Sequence, residues 1–360
     1  MAAVLAEQGP VLKTKWNLNA PGDVRRIARR LRPRHWAAVY ELASYRPGYI
    51  ASSCRTVHPT IGIITNIGLA HAGLLGGIRG VARDKGALVR SLPRNGVAIL
   101  NADDPGTRLL NFGRFRGRVV RYGLRPTAQV WASDIRYDGD GMHFTAHRGE
   151  EAVELRIAAL GEHNVANALA VFAAARELGM SAEKIQRGLR KFTLARSRMK
   201  VCHAGGVLLL DDSYNANPHS MAAGIRVLRQ AGEGRRVAVV GGMSTLGHWA
   251  RDAHLELGRQ LAVDDINEVV LVGRMARIIA EGIELARRGA ARREGGGSRV
   301  TIVRTPEAAA QHLKDSLQAP AVVWLKGSNN AHLGRAFRLL VEALGVPQPD
   351  ERGLNQVRSS

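Results

Sequence analysis

The chain has 360 residues, of which 45% are hydrophobic, enough to bury a substantial core and more typical of two domains than of one. Its formal net charge of +21 is mostly arginine, yet aromatic residues make up only 5% and do not interleave with the basic clusters at 25–34, 114–121 and 287–293, which argues against a nucleic-acid groove as its main function. Cys54 and Cys202 have no ligand or disulfide spacing, Glu7 and Gln8 interrupt any apolar leader, and no stretch is apolar for the ~18 residues that cross a bilayer, so a cytoplasmic protein without membrane insertion is expected.

Short apolar, β-branched runs alternate with helical patterns along the whole chain, which predicts an α/β fold of strands joined by crossover helices around a largely parallel sheet. In order, 37–40, 61–64, 97–100 and 119–122 read as strands, and 80–92 reads as a helix. Alanine content and apolar spacing predict a helix over 164–178, and Ser181 offers an N-cap for another through Leu189. After Phe192 the pattern resets, with strands at 207–210, 237–240, 269–272, 300–303 and 322–325, each followed by a helical stretch. Two domains are therefore expected, 1–195 and 196–346, with a surface loop at 289–298 and a polar, flexible tail at 347–360.

Polar groups gather at the ends of several of these strands, where open α/β sheets bind their ligands. Glu41 follows WAAVY and is either an exposed acid or a ligand for Mg²⁺, which typically takes one or two carboxylates plus phosphate oxygens. His71 ends IITNIGLAH and can be structural or can face a metal or an oxyanion. Lys85, in GVARDKGAL, is by itself a solvated lysine. Asn164 and Asn167 in LGEHNVANAL stand one helical turn apart, a spacing suited to the edge of a purine. In DDSYNANP, two acids, a hydroxyl, a phenol and two amides occupy seven residues, far more polar functionality than a plain strand-to-helix turn needs, with a rich N-cap as the less favoured alternative.

Taken together, ITNIG with its AH, NADDP, GEHNVANAL, DDSYNANP and a late KGS resemble, in this order, the Mur ligases, ATP-dependent ligases that build the peptidoglycan stem peptide. The resemblance covers roughly residues 1–345, and the DDSYNANP form is most similar to the members that add D-alanyl-D-alanine to UDP-muramoyl tripeptide. It implies a central ATPase-type domain followed by a Rossmann-like C-terminal domain, with the two closing on each other during catalysis. It also implies a carboxylate that attacks ATP to form an acyl phosphate, which an amine then displaces. By motif position Glu41, His71 and Lys85 would hold Mg²⁺, Lys85 being the lysine that can be carbamylated in this family. Asn164 and Asn167 would meet adenine, Arg198 the phosphates and Asp212 the ribose. Tyr214, Asn215 and Asn217 would complete the nucleotide and substrate contacts, with Lys326 and Ser328 on the side of the UDP-muramoyl peptide and D-alanyl-D-alanine. The protein would act as a monomer.

The chain also departs from the family pattern. Gly242 stands where an acid often follows glycine, Ala43 replaces the glycine after the metal-binding glutamate, and NLNAPGD matches the asparagine-rich substrate stretch only loosely. No glycine-rich loop ending in lysine and threonine is present, and MAAVLAEQGPVLKT resembles the helix that follows that loop. The central domain is therefore expected to be incomplete. A start codon set too far downstream, a gene fragment and a shortened binding protein are the readings open. The first expects the loop in upstream codons, and in every case no ligase turnover is expected from the 360 residues alone. Other acceptors, a non-catalytic nucleotide or muramoyl-peptide binder, and a salt-sensitive polyanion scaffold are the alternatives.

Overall fold

The computed structural model describes residues 1–138, 141–194, 197–263, 265–289 and 297–345. The expected domain limit at Ala195, most of the loop at 289–298 and the tail at 347–360 lie outside the described residues. The chain forms two compact units, Met1–Leu194 with Thr245–Trp249, and Ala195–Ser244 with Ala250–Ser360.

The first unit opens with α1 (Ala2–Leu5), β1 (Val11–Lys13), α2 (Pro21–Ala28), β2 (Ala37–Val39) and α3 (Tyr49–Val57). A longer opening helix is stopped before Pro10, whose ring lacks the N–H that helix propagation needs. β1 and β2 pair in parallel as a small sheet of their own, so the strand that leads to Glu41 is not hydrogen-bonded to β3 (Ile61–Ile64). After β3 come α4 (Ala72–Leu75), α5 (Ile78–Arg90), β4 (Val97–Asn101) and β5 (Arg118–Tyr122), then β6 (Val130–Tyr137), β7 (Met142–Arg148) and β8 (Glu151–Ile157), and finally α6 (Glu162–Glu177) and α7 (Ala182–Arg190).

The main sheet runs β3-β4-β5-β6-β7-β8, parallel as far as β6 and antiparallel beyond it. The last three strands are additional to those expected, and they make this sheet mixed rather than largely parallel. Their chemistry is that of a half-buried meander. Val130 and Ala132, Met142, Phe144 and Ala146, and Val153, Leu155 and Ile157 are buried under α6, while the residues between them reach solvent to differing degrees. Ser181 does occupy the N-cap of α7, but its side chain makes no capping bond.

The second unit contains β9 (Lys200–Ala204), β10 (Val207–Asp211), α8 (Pro218–Gln230), β11 (Arg235–Val240), α9 (Ala250–Leu261), β12 (Glu268–Val272), α10 (Ala276–Gly289), β13 (Arg299–Val303), α11 (Pro306–Ser316), β14 (Ala321–Lys326) and α12 (Leu333–Ala343). Strand order is β13-β12-β11-β14-β10-β9, all parallel except the edge strand β9. β10, β12 and β14 are buried at every position because helices cover both faces, which is why they read as unbroken apolar runs. Ala309, Ala310 and Leu313 of α11 and Leu333, Phe337 and Leu340 of α12 pack one face. On the other face α8 lies so close to β14 that a Cβ at Gly224 would fall 2.0 Å from the Trp324 ring. The result places the C-terminal ends of β10, β11 and β14 side by side.

Candidate active site

In the first unit the loop that follows β3 is held by its backbone. Asn101 Nδ2 donates to Thr65 O at 3.0 Å, Lys85 Nζ donates to Asn66 O at 2.7 Å, and Ile67 N donates to Asp104 Oδ2 at 2.7 Å. The other oxygen of Asp104 caps the 3-10 turn Pro105–Leu109 through Gly106 N at 3.2 Å. Only glycine fits at 106, since a Cβ there would sit 2.3 Å from Ile67 O.

The loop ends at His71, which takes a left-handed φ of 61° as the N-cap of α4. Its Nδ1 lies 3.1 Å from Thr245 Oγ1 and its ring centroid 4.4 Å from that of Tyr45. Burial, then the nearby Lys85 charge, lowers the His71 pKa and keeps the imidazole neutral. Burial also lowers the pKa of Lys85, opposed by Asp104 and Asp84. Asp84 in turn fixes the approach to α3, accepting from Ser44 Oγ at 2.7 Å and Gly48 N at 2.8 Å.

Glu41 is exposed at the end of β2; its N–H donates to Thr14 Oγ1 at 3.0 Å and Asn19 Nδ2 donates to its Oε1 at 2.9 Å. His71 and Lys85 thus lie within electrostatic reach of each other, whereas the partners of Glu41 are Thr14 and Asn19. Among the described residues no group of three or more His, Cys, Asp and Glu side chains is placed to hold a metal. A magnesium ion that keeps most of its waters asks for less: one exposed carboxylate such as Glu41, with further oxygens from phosphates. The donor set fits such an ion and does not fit a closed protein cage. Asn164, half-buried on α6, donates to Leu160 O at 2.9 Å, and Asn167, one turn on, is exposed.

In the second unit the DDSYNANP turn joins β10 to α8. Asp211 accepts from Ser213 N at 3.1 Å and Ser213 Oγ at 2.6 Å, bracing the turn from within. Asp212 Oδ2 receives Lys326 Nζ at 2.7 Å, with side-chain exposures of 15% and 3% that leave the pair almost dry. Burial pushes the Asp212 carboxyl up and the Lys326 amine down, and in each case the partner's charge opposes the shift. The guanidinium of exposed Arg198 lies 4.4 Å over the Tyr214 ring, a cation–π contact. Asn215 is exposed and bonds only locally through its side chain, to Ala216 N at 2.9 Å. Asn217 is the N-cap of α8 in a reciprocal capping box with Ser220. Ser328 is buried, and its Oγ accepts from Ser244 N at 2.7 Å.

Next to Ser328, the glycine turn after β11 rests on His254, which is 0% exposed. Met243 N donates to its Nε2 at 2.9 Å, so the imidazole is neutral with its proton on Nδ1, directed at Ala250 O. Burial lowers the His254 pKa below its ordinary 6.5. The unfolded chain therefore takes up a proton first as pH falls. The second unit is expected to hold constant stability from this group above pH 6.5 and to lose it as pH drops through the lowered folded value. Urea midpoints measured between neutral and acidic pH for the wild type and His254→Gln test this, and identical slopes in the two proteins would refute it.

Asp104, Asp84, Asn19 and Thr245 shape the site but were not singled out in the sequence as site residues. NADDP offers the one local signal, an aspartate before proline that announces a cap.

Among the described residues no helix is long and apolar enough to cross a membrane. Residues 1–175 match the Mur ligase middle domain and residues 197–329 the Mur ligase glutamate ligase domain. A UDP-N-acetylmuramoyl-tripeptide--D-alanyl-D-alanine ligase of Mycobacterium tuberculosis is 34% identical over 359 residues, spanning 95% of this chain and 69% of that protein. One from Escherichia coli is 34% identical over 283 residues, 78% of this chain and 62% of the relative. A crystal structure of MurF from Acinetobacter baumannii superposes with a TM-score of 0.84 at 30% identity, covering 95% of this chain and 72% of its own. With its fold, motif order and both domain matches in agreement, this chain belongs to the Mur ligase family.

Proposed function

We propose that the protein serves peptidoglycan precursor synthesis as the ATP-dependent ligase that joins D-alanyl-D-alanine to UDP-muramoyl tripeptide. The observation that carries this is 34% identity to a ligase of that name over 95% of the chain. The two half-reactions dictate what the residues must do. A tripeptide carboxylate attacks the γ-phosphorus of ATP, ADP leaves, and an acyl phosphate remains; the amine of D-alanyl-D-alanine then adds to the acyl carbon and phosphate departs. Both steps concentrate negative charge, which basic side chains stabilise better than water does once solvent is excluded.

In the first unit Asn164 and Asn167 face adenine, with Asn164 steadied by Leu160 O so that its amide oxygen can accept. Glu41, His71 and Lys85 as its carbamate would hold Mg²⁺, which supplies charge neutralisation at the phosphates. In the second unit Arg198 meets phosphate oxygens, Asp212 lies on the ribose side, and Tyr214, Asn215, Asn217 and Ser328 shape the surroundings of the incoming substrates.

The test is formation of UDP-muramoyl pentapeptide from tripeptide, D-alanyl-D-alanine, ATP and Mg²⁺, read by mass spectrometry alongside phosphate release. It is run on the 360-residue protein and on the reading frame extended upstream of Met1 wherever that frame is open. Pentapeptide formation that requires both substrates supports the assignment. An extended protein that carries the phosphate loop and binds both substrates, yet releases no phosphate, would overturn it.

A further inference from the structure

An ammonium has three N–H donors, and those of Lys326 are already engaged by its own unit. Nζ donates to Asp212 Oδ2 at 2.7 Å and to Asn215 O at 2.9 Å, with Asp212 O at 3.5 Å. At 3% side-chain exposure there is little room for a substrate group to replace any of them.

The backbone N–H of Met199 faces the same carboxylate and is among the influences that oppose the rise of its pKa. Met199 and Ser197 have left-handed φ values of 57° and 54°, a conformation that residues with side chains hold only when their surroundings impose it. The surroundings here are the DDSYNANP turn. Tyr214 N donates to Ser197 O at 2.9 Å, and Asp212 faces Met199 N. Arg198 sits between these two fixed points with its guanidinium over the Tyr214 ring.

We propose that Lys326 is a positioning residue that sets Arg198, acting through Asp212, and not a group that touches substrate. Lys326 draws Asp212 and the Asn215 carbonyl together, Asp212 fixes Met199, and the backbone so fixed aims Arg198. Its geometric anchors are the two Lys326 bonds, the Tyr214 N–Ser197 O bond and the Arg198–Tyr214 contact; its consequence, that phosphate contact through Arg198 depends on Lys326, rests on the function proposed above.

The experiment uses the whole 360-residue protein as wild type, Lys326→Met and Asp212→Asn. Hydrogen exchange follows the Met199 amide, and NMR follows the ring-current shift of the Arg198 δ protons over Tyr214. Each variant is expected to speed Met199 exchange by about tenfold and to abolish the ring-current shift, while amides of β12 and α10 keep wild-type protection. That contrast separates loss of positioning from loss of fold. A folded variant that keeps both the Met199 protection and the Arg198 shift overturns the proposal. Should Lys326→Met not fold, Asp212→Asn decides, and an unprotected Met199 amide in the wild type also overturns it. In assays of an active extended protein, Lys326→Met combined with Arg198→Met should raise the KM for ATP no further than Arg198→Met alone, with the KM for D-alanyl-D-alanine unchanged. An elevated D-alanyl-D-alanine KM in Lys326→Met would return the lysine to the substrate. An absence of ligase activity in an extended protein that carries the phosphate loop and binds both substrates would sink the function and leave the exchange and NMR results standing.

Discussion

Replacing Asp104 with alanine is expected to cost the first unit about 3–5 kcal/mol, since two hydrogen bonds to a buried charged acceptor are lost and their donors stay behind. The carboxylate is 7% exposed and takes Ile67 N on one oxygen and Gly106 N on the other. It is also the larger of the two acidic influences on Lys85, so its removal leaves a mostly buried ammonium with less compensation. Asp104→Asn keeps the shape and should cost less, because one amide oxygen can still accept. Exchange of the Ile67 amide, together with urea unfolding followed by exchange across α5 and β3 to β5, measures the effect. A cost below about 1 kcal/mol with Ile67 still protected would show that the loop does not depend on this residue. The functional corollary is local, because the loop that ends at His71 is aimed by Asp104, Lys85 and Asn101.

Glu268→Ala should be equally severe in the second unit, about 3–5 kcal/mol, and for the same electrostatic reason. Glu268 is 0% exposed, with Arg235 Nη2 at 2.6 Å on Oε2 and His312 Nε2 at 2.7 Å on Oε1. Removing the acid strands a guanidinium of 29% side-chain exposure without its counter-ion. Glu268→Gln, which keeps volume and one acceptor, is expected to fall between alanine and wild type. The position of this cluster separates it from the chemistry. Glu268 and Arg235 begin β12 and β11, whereas Asp211 and Lys326 end β10 and β14, at the opposite ends of these parallel strands. Denaturant midpoints should therefore drop while the Lys326–Asp212 and Arg198–Tyr214 contacts at the DDSYNANP end are unaffected below the unfolding transition. A midpoint unchanged by Glu268→Ala would mean that the Arg235 guanidinium finds water without cost.

Much of this architecture was legible in the sequence because burial on both faces leaves a run such as Val269–Val272 with no polar residue to confuse the reading. Strand ends were legible for a related reason: Asp211, Asp212 and Lys326 break apolar runs abruptly, and such breaks occur where a sheet stops. The meander at β6 to β8 was harder. Its alternation carries Asp134, which has φ of 52° where the β6–β7 register shifts, and the strand period is interrupted there. The partners of the site residues were not legible at all. Asn101 and Thr65 are 36 positions apart, Lys326 and Asp212 are 114 apart, and His71 and Thr245 are 174 apart. No periodicity connects such pairs; the crossovers of each sheet bring the first two together. For that reason Lys326 reads from sequence as a late basic residue near a substrate, while in the fold its donors are spent on Asp212 and Asn215.

The meander also bears on how the chain reaches this fold. Its three strands are neighbours in sequence, and β7 returns to β8 across a short turn containing Gly149, which adopts φ of 59°. Closing such a turn costs little chain entropy and takes microseconds, whereas pairing β3 with β4 must wait for the intervening crossover helix to form and dock. During refolding of the whole chain, β6 to β8 and the helix α6 that covers them can therefore assemble from contacts close in sequence. The parallel strands are then expected to add to an edge that already exists, so the segment least like a ligand site would supply the template on which β3 to β5 are laid.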